Sequence, residues 1–339
     1  MAVERFVGDA AEWDAFVQAD AAGTFCHLSG WWPIIEDVFG HRCLPLCIRD
    51  GTGALTGILP LVHVNSRLFG RYLISMPFLN AGGPLGAPAA RSALAVAAER
   101  EGRERRVSLV ELRNRDAAPE HGRVTGRKIT VHLPLPDGPE GVWRRFPSKL
   151  RSQIRRAERE GFRVEFGRDH VDAFYEVFAR NMRALGTPVL PRAVFRRIAA
   201  TFGDTAEFVA VYDGTTVVAG GCGFYWNGAF ELTWASSRRD YSRRAPNMLM
   251  YWSLIARAAA AGHHTFDFGR CTPGGGTHRF KRQWGGHDVP LPWTQWSASG
   301  VPAPPSPDQP VFRIASACWR RLPLPVANRL GPLIATQLP

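Results

Sequence analysis

The stretch Phe266–Gly286 reads FDFGRCTPGGGTHRFKRQWGG and gathers the side chains best suited to chemistry. Asp267 stands in a short apolar run that reads as a strand. Arg270, Cys271 and three consecutive glycines (Gly274–Gly276) follow, and then Phe280, Lys281 and Trp284. Consecutive glycines let backbone N–H groups approach a ligand or another backbone segment. A lysine ammonium is a compact charge that can sit beside a developing oxyanion, and a carboxylate such as Asp267 can take a proton from an amine or orient it. Phe280 and Trp284, four apart, would lie on one side of a helical turn and shield a charge from water. On this reading Lys281 faces a cleft or a groove near Asp267. The same spacing also fits a hairpin whose aromatics fill the core and whose Lys281 is at the surface. Cys271 reads either as a nucleophile or as a buried thiol.

A second segment, Trp143–Val164 (WRRFPSKLRSQIRRAEREGFRV), carries eight basic residues against Glu158 and Glu160. Ser148 can cap a helix that ends near Gly161. On that helix Arg151, Arg155 and Arg159 recur every four residues with Arg156 alongside, so guanidiniums line one face and repel one another unless an anion joins them. Phosphate or RNA-backbone contact is one reading; a solvated basic face is the other. His263 and His264 have no third ligand at metal spacing, so no metal site is expected. No G-x-S-x-G elbow or Ser-His-Asp arrangement is present.

These segments belong to a chain of 339 residues with 45% hydrophobic and 21% charged residues, which suits two globular domains. Forty-two basic residues against 30 acidic give +12, and all but three of the basic residues are arginines. The charge favours an anionic partner: RNA, a nucleotide-linked donor or an acidic membrane surface. Six scattered cysteines form no C-x-x-C pair, and the N-terminus has no basic-then-apolar signal pattern. No run of about 18 apolar residues exists, so no transmembrane helix and a cytoplasmic location are expected.

The elements that would position the two segments repeat. Residues 44–64 (LPLCIRDGTGALTGILPLVHV) and 206–226 (AEFVAVYDGTTVVAGGCGFYW) each read as strand, Asp-Gly turn, strand. Each is preceded by aromatic-rich helical patterns and followed by another strand, an Ala-rich helix and a further strand, as in 91–114 and 247–270. The order points to a duplicated mixed α/β domain. The expected boundaries are 1–141, 142–300, and a Pro-rich linker with a basic-apolar tail over 301–339, extended to about residue 311 and packed on the body beyond it.

The basic helix KLRSQIRRAEREG, the FDFGR strand, the FKRQWG element and the duplicated halves together resemble the FemAB (Fem aminoacyltransferase) family. The likeness spans the chain and is specific in Leu150–Gly161 and Phe266–Gly286. It implies an α+β fold of two tandem GNAT-like (acyl-CoA N-acyltransferase) domains. The tail CWRRLPLPVANRLGP further resembles the branch associated with the exosortase (PEP-CTERM/XrtA) system of exopolysaccharide-producing Gram-negative bacteria. The resemblance implies transfer of an activated acyl or aminoacyl group to an amine or hydroxyl of a cell-envelope or exopolysaccharide-related acceptor. It makes Lys281, with Phe280 before it, the charge on the carbonyl oxygen, and Asp267 a base or orienting group. Arg151, Arg155 and Arg156 would contact phosphates, with Arg270, Tyr241, Asn247 and Trp284 completing the binding residues. No bound cofactor or metal is implied; the donor is a co-substrate, aminoacyl-tRNA or acyl-CoA. The partners implied are that anionic donor, an envelope-precursor acceptor and, through the basic tail, the face of the inner membrane.

One departure stands out. GNAT acetyl-CoA enzymes use an R-x-x-G-x-G/A loop whose backbone N–H groups hold pyrophosphate. The corresponding stretch here, RRDYSRRAPNMLMYW, has no glycine and places Pro246 where an N–H would be needed. The long coiled-coil insertion of some aminoacyl-tRNA users is also missing. The other reading is a non-catalytic, degenerate repeat that binds an envelope or exopolysaccharide assembly.

Overall fold

The computed structural model describes residues 2–116, 118, 121–297 and 310–338. In chain order the first elements are β1 (Glu4–Arg5), α1 (Ala10–Ala19), α2 (Trp31–Asp37), β2 (Arg42–Arg49), β3 (Leu55–Ser66), β4 (Gly70–Ser75), β5 (Leu85–Gly86), α3 (Pro88–Glu104) and β6 (Leu109–Leu112). There follow β7 (Arg123–Pro134), α4 (Gly138–Arg145), α5 (Ser148–Glu158), β8 (Arg163–Phe166), α6 (Val171–Leu185) and α7 (Arg192–Phe202). The chain continues with β9 (Ala206–Asp213), β10 (Thr216–Trp226), β11 (Ala229–Ser237), α8 (Pro246–Ala260), β12 (Thr265–Asp267), α9 (Gly276–Arg282), β13 (His287–Trp296), α10 (Pro310–Trp319) and α11 (Leu324–Ala335).

Two compact units result. Unit 1 is Met1–Lys128 with Pro290–Gln309 and Thr336–Pro339; unit 2 is Ile129–Val289 with Pro310–Ala335. In unit 1, β1, β2, β3 and β4 pair antiparallel in that order, and β4 pairs β6 in parallel across the α3 crossover. In unit 2, β8, β9, β10 and β11 pair antiparallel, and β11 pairs β12 in parallel across α8. The two units therefore share one strand order, with a helix supplying each parallel crossover.

The last strand of each unit comes from a distant part of the chain. The end of β13 (Thr294–Trp296) pairs antiparallel with β6, and the end of β7 pairs antiparallel with β12. The division between units therefore falls inside β7, at Lys128/Ile129, where the sequence pattern suggests 141/142.

The hairpins differ in their turns. In unit 2, Asp213 pairs Thr216, and Gly214 (φ +59°) takes the left-handed backbone this tight turn demands. In unit 1, Arg49 pairs Leu55, and the Asp50 carboxylate accepts from the N–H groups of Thr52 and Ala54 to close a longer loop.

Strand alternation distributes the core of unit 2 to both faces of its sheet. Val209 and Val211 of β9 join the cluster of α8 and α5, which includes Leu150, Ile154, Ile255 and Trp284. Phe208 and Ala210 meet Phe174 and Val177 of α6. Leu150, Ile154 and Ala157 are the buried stripe of α5, so its arginines are left toward solvent. Ser148 lies inside the first turn of α5, and Pro147 occupies the cap position. In unit 1, α3 packs Ala90, Leu94 and Ala98 on Leu44, Leu46, Leu59 and Leu61.

The expected extended linker over 301–309 lies outside the described residues. Pro310 opens α10 rather than extending that linker, a place that its fixed φ suits. Trp319, Leu322 and Leu324 are half-buried. The Ser316 hydroxyl donates to the Gly186 carbonyl (2.9 Å), and Arg183 Nε donates to the Leu322 carbonyl (2.9 Å), so α10 and α11 are fastened to the end of α6.

Candidate active site

The parallel pair β11/β12 ends on the register Glu231↔Asp267. On its other side β12 meets β7, with Asp267 opposite His132. Because strand side chains alternate, Thr130 and His132 of β7 project to the same face, and Ile129, Val131 and Leu133 go to the core. The result is a polar centre inside an apolar unit. The Asp267 carboxylate is buried and accepts the Thr130 hydroxyl on Oδ1. It accepts the Gly269 N–H on the same oxygen at 2.8 Å. His132 Nε2 lies 3.1 Å from Oδ2. With the proton on Nε2 the half-buried ring donates to Asp267 and keeps Nδ1 as an acceptor.

Lys281 is turned inward and is only 4% exposed. Its Nζ donates to the carbonyl oxygens of Gly269 (2.5 Å) and Arg270 (3.0 Å). Burial lowers its pKa below the usual lysine value, while Cys271, Asp267 and Glu231 pull it back up. The buried Glu231 also accepts the Thr233 hydroxyl at 3.2 Å. Two buried carboxylates and one buried ammonium thus share the end of the β11/β12 pair. Cys271 is buried and held by paired backbone hydrogen bonds to Ile129.

Phe280 and Trp284 do lie on one side of the turn that carries Lys281. Tyr251 packs against both, at ring separations of 5.0 Å and 5.9 Å, and Trp284 also meets Phe146 at 5.6 Å. Trp284 is completely buried and Phe280 is half-buried. The aromatics are therefore core, and the lysine beside them is core as well.

The remaining candidate residues form a separate, more exposed group. Arg155 and Arg156 are exposed on α5 and Arg151 is half-exposed. Arg155 covers the Trp143 ring at 5.5 Å, and Arg156 Nη2 donates to the Arg243 carbonyl at 2.7 Å. The segment 238–245 leading into α8 is pinned by Arg244, which bridges Glu160 (2.6 Å) and Asp213. Tyr241 lies under the guanidiniums of Arg238 and Arg244. Ala245 has φ +54°, Pro246 is the first helical residue, and half-buried Asn247 the second. Arg270 is half-exposed, and its carbonyl oxygen serves Lys281.

At the opposite end of α8 a groove of about 870 Å³ is lined by Arg168, Glu207, Tyr225, Arg257 and His263 among others, and none of the candidate residues enters it. Arg257 bridges Glu207 (2.7 Å) there, and burial, ahead of the Glu207 charge, pushes the Tyr225 phenol up to about 12. No group of three or more His, Cys, Asp or Glu side chains arranged to hold a metal is found among the described residues.

The strand order of the two units, with β4/β6 and β11/β12 as crossover pairs, decides the architecture. The fold is a tandem GNAT fold. A family model described as "Acetyltransferase (GNAT) domain" matches residues 144–282, within unit 2. Among solved structures the chain is similar to FemX, with a TM-score of 0.65 and 14% identity over 92% of this chain and 100% of that one. It is similar to the C-terminal domain of a putative lysylphosphatidylglycerol synthetase from Agrobacterium fabrum (TM-score 0.56, 11% identity, 86% and 92% covered). It is also similar to a tandem GNAT protein from the clavulanic acid biosynthesis pathway (TM-score 0.52, 12% identity, 89% and 100% covered). No curated protein sequence matches the chain.

Within this tandem GNAT fold the sequence reading missed Thr130, His132 and Glu231. The alternation Ile-Thr-Val-His-Leu over 129–133 is the signal that could have found two of them, because it puts a threonine and a histidine on the face opposite three core residues.

Proposed function

We propose that unit 2 transfers an activated acyl or aminoacyl group to an amine or hydroxyl of a cell-envelope component. The observation that carries this reading is the His132–Asp267 pair at the end of the parallel strands. A carboxylate that receives one ring nitrogen leaves the other free to accept a proton.

In the reaction, the acceptor nitrogen or oxygen attacks the acyl carbonyl carbon while His132 Nδ1 takes its proton. The tetrahedral intermediate then expels the leaving oxygen of a tRNA ester or the sulfur of a CoA thioester. His132 returns the proton to that leaving group, and neither oxidant nor metal is consumed. Asp267 holds the imidazole and stabilises its charged form. Lys281 offsets Glu231 and Asp267, fixes the 269–270 turn, and from behind that turn lends its positive charge to the acyl oxygen as it becomes negative. Phe280 and Trp284 keep that region dry.

Arg151, Arg155 and Arg156 would hold donor phosphates, and Tyr241, Asn247 and Arg270 would line the approach. Two features support a donor held differently from CoA in glycine-loop enzymes: Pro246 removes a backbone donor at the start of α8, and the 238–245 segment is pinned by side chains. The fold shared with FemX and with a putative lysylphosphatidylglycerol synthetase domain supports an envelope acceptor. The tail's resemblance to the exosortase-associated branch extends the choice to an exopolysaccharide-related one.

The deciding experiment offers purified protein charged tRNA, acetyl-CoA or longer acyl-CoA and follows donor loss by mass spectrometry. Loss of one donor with the native chain, abolished in His132→Gln, is the expected result. No loss of any donor would leave the non-catalytic binding reading.

A further inference from the structure

The helix α11 is built inside out. Its small residues Ala327, Gly331 and Ala335 are the buried ones. A Cβ at position 331 would come within 2.9 Å of the Val189 backbone nitrogen, so only glycine fits against that segment. Three of its large aliphatic residues are left to solvent, while Leu324 and Ile334 are half-buried. Val326, Leu330 and Leu333, at helical spacing i, i+4, i+7, are 41%, 41% and 67% exposed. On α10, Ile314 is 65% exposed, and Leu185, beside the α6 turn that receives Ser316, is 48% exposed. Helices of water-soluble domains place such residues inward and charges outward. The charges here are of one sign. Arg313, Arg320, Arg321 and Arg329 are all exposed, and residues 310–338 contain no aspartate or glutamate.

From this combination we infer that α10 and α11 form a docking surface for a lipid bilayer bearing anionic headgroups. Exposed aliphatics that enter the acyl boundary, with arginines that reach headgroup phosphates, are the two signals that stable interfacial binding requires. A second copy of the chain fits less well, because it would bring the same four arginines, on a +12 molecule, against their equivalents. Neither helix is long and apolar enough to cross a membrane, so the contact lies in the interface. The surface serves the proposed transfer by holding the protein where envelope precursors are found. Binding to lipid needs no donor and no turnover, so it is tested apart from that reaction.

The full chain is co-sedimented with vesicles of pure phosphatidylcholine and with vesicles of equal parts phosphatidylcholine and phosphatidylglycerol. The mixed vesicles should bind it at least tenfold more tightly, and added salt should erase the difference. Arg320→Gln with Arg321→Gln should cost roughly 25-fold, at about fivefold per arginine. Leu330→Gln with Leu333→Gln should cost about tenfold with an unchanged melting temperature, because both side chains already face water. Equal binding to the two vesicles, or full binding by the leucine pair, would overturn the inference. So would vesicle-independent self-association, seen by sedimentation velocity and lost in the leucine pair, since that outcome identifies a second copy as the occupant.

Discussion

The two units place a carboxylate at the equivalent point of their like-ordered strands and treat it differently. Glu111 of β6 stands opposite Ile74 and Gln295, as Asp267 of β12 stands opposite Glu231 and His132. In unit 1, Gln295 Nε2 donates to Glu111 (2.7 Å), and Arg113 Nε, two residues on, donates to it at 2.9 Å. That guanidinium also bonds the carbonyls of Met76 and Leu79 and covers the Trp293 ring at 4.6 Å. The two side chains that donate to Glu111, an amide and a guanidinium, are fixed in charge. Around Asp267 the amide is replaced by an imidazole that can take up a proton, and the counter-charge is a lysine with a lowered pKa. A duplicated fold thus carries one centre that pairs its carboxylate with a guanidinium and an amide, and one that pairs it with an imidazole.

The largest difference between the units is expected at His132. His132→Gln gives unit 2 the residue that unit 1 uses. Transfer should fall by about 10²–10⁴-fold while the melting temperature moves little. The reverse change, Gln295→His, should leave the rate as it was. Turnover measured side by side in both variants checks this, and an active His132→Gln enzyme would detach the dyad from catalysis.

Removing the two counter-charges comes next. Lys281→Met strands two carboxylates and two carbonyls, and Arg113→Met strands Glu111. Each should destabilise the protein by about 3–5 kcal/mol in urea unfolding. Only the lysine variant should also lose rate when assayed under conditions where both remain folded. Equal rate losses would mean that both centres are structural.

Acid should separate the units by a slightly smaller margin. His27 of unit 1 is buried between Thr24 and the Gly83 carbonyl, and burial brings its pKa down to about 4. The folded value lies below the unfolded one, so the folded state binds fewer protons between them. Its stability is whole above about pH 6.5 and declines toward pH 4, by about 3 kcal/mol in all. Burial lowers His41 and His63 of the same unit as well, and His263 in unit 2. Amide exchange followed from pH 7 to pH 4 should therefore show unit 1 opening first, and His27→Gln should flatten its pH dependence.

The smallest effect is expected at the exposed helix face. Arg155→Glu with Arg156→Glu should weaken binding of a phosphate-bearing donor about tenfold and lower its salt dependence. Fluorescence titration with tRNA and with CoA at two salt concentrations tests this. Unchanged affinity would reduce α5 to a solvated face.

Much of the fold could be read from the chain. The Asp-Gly turns at Asp50 and Asp213, the Ala-rich runs after them and the spacing of Leu150, Ile154 and Ala157 are local signals, and local signals survive in a sequence. The exchanged end strands were not readable, because pairing of Thr294–Trp296 with β6 is a long-range choice that no local pattern encodes. Half of the site followed the same logic. Asp267 and Lys281 stand out by type, and the chain places them together. The inward direction of Lys281 depends on its bonds to the carbonyls of Gly269 and Arg270, which composition does not reveal. His132 was hidden in an apolar strand on the far side of the presumed boundary.

The exchanged strands also set an order of events at the ribosome. Unit 2 takes its end strand from β7, which precedes the rest of it in synthesis, so its sheet can close as soon as β12 emerges. Unit 1 must wait for β13. Until residues 290–296 leave the exit tunnel, β6 has no neighbour on one side, and its unpaired N–H and C=O groups are open to any passing strand. Most proteins complete their first domain first. Here the sheet of the first half of the message is the last to close, and for much of translation its exposed edge is a natural client for a chaperone.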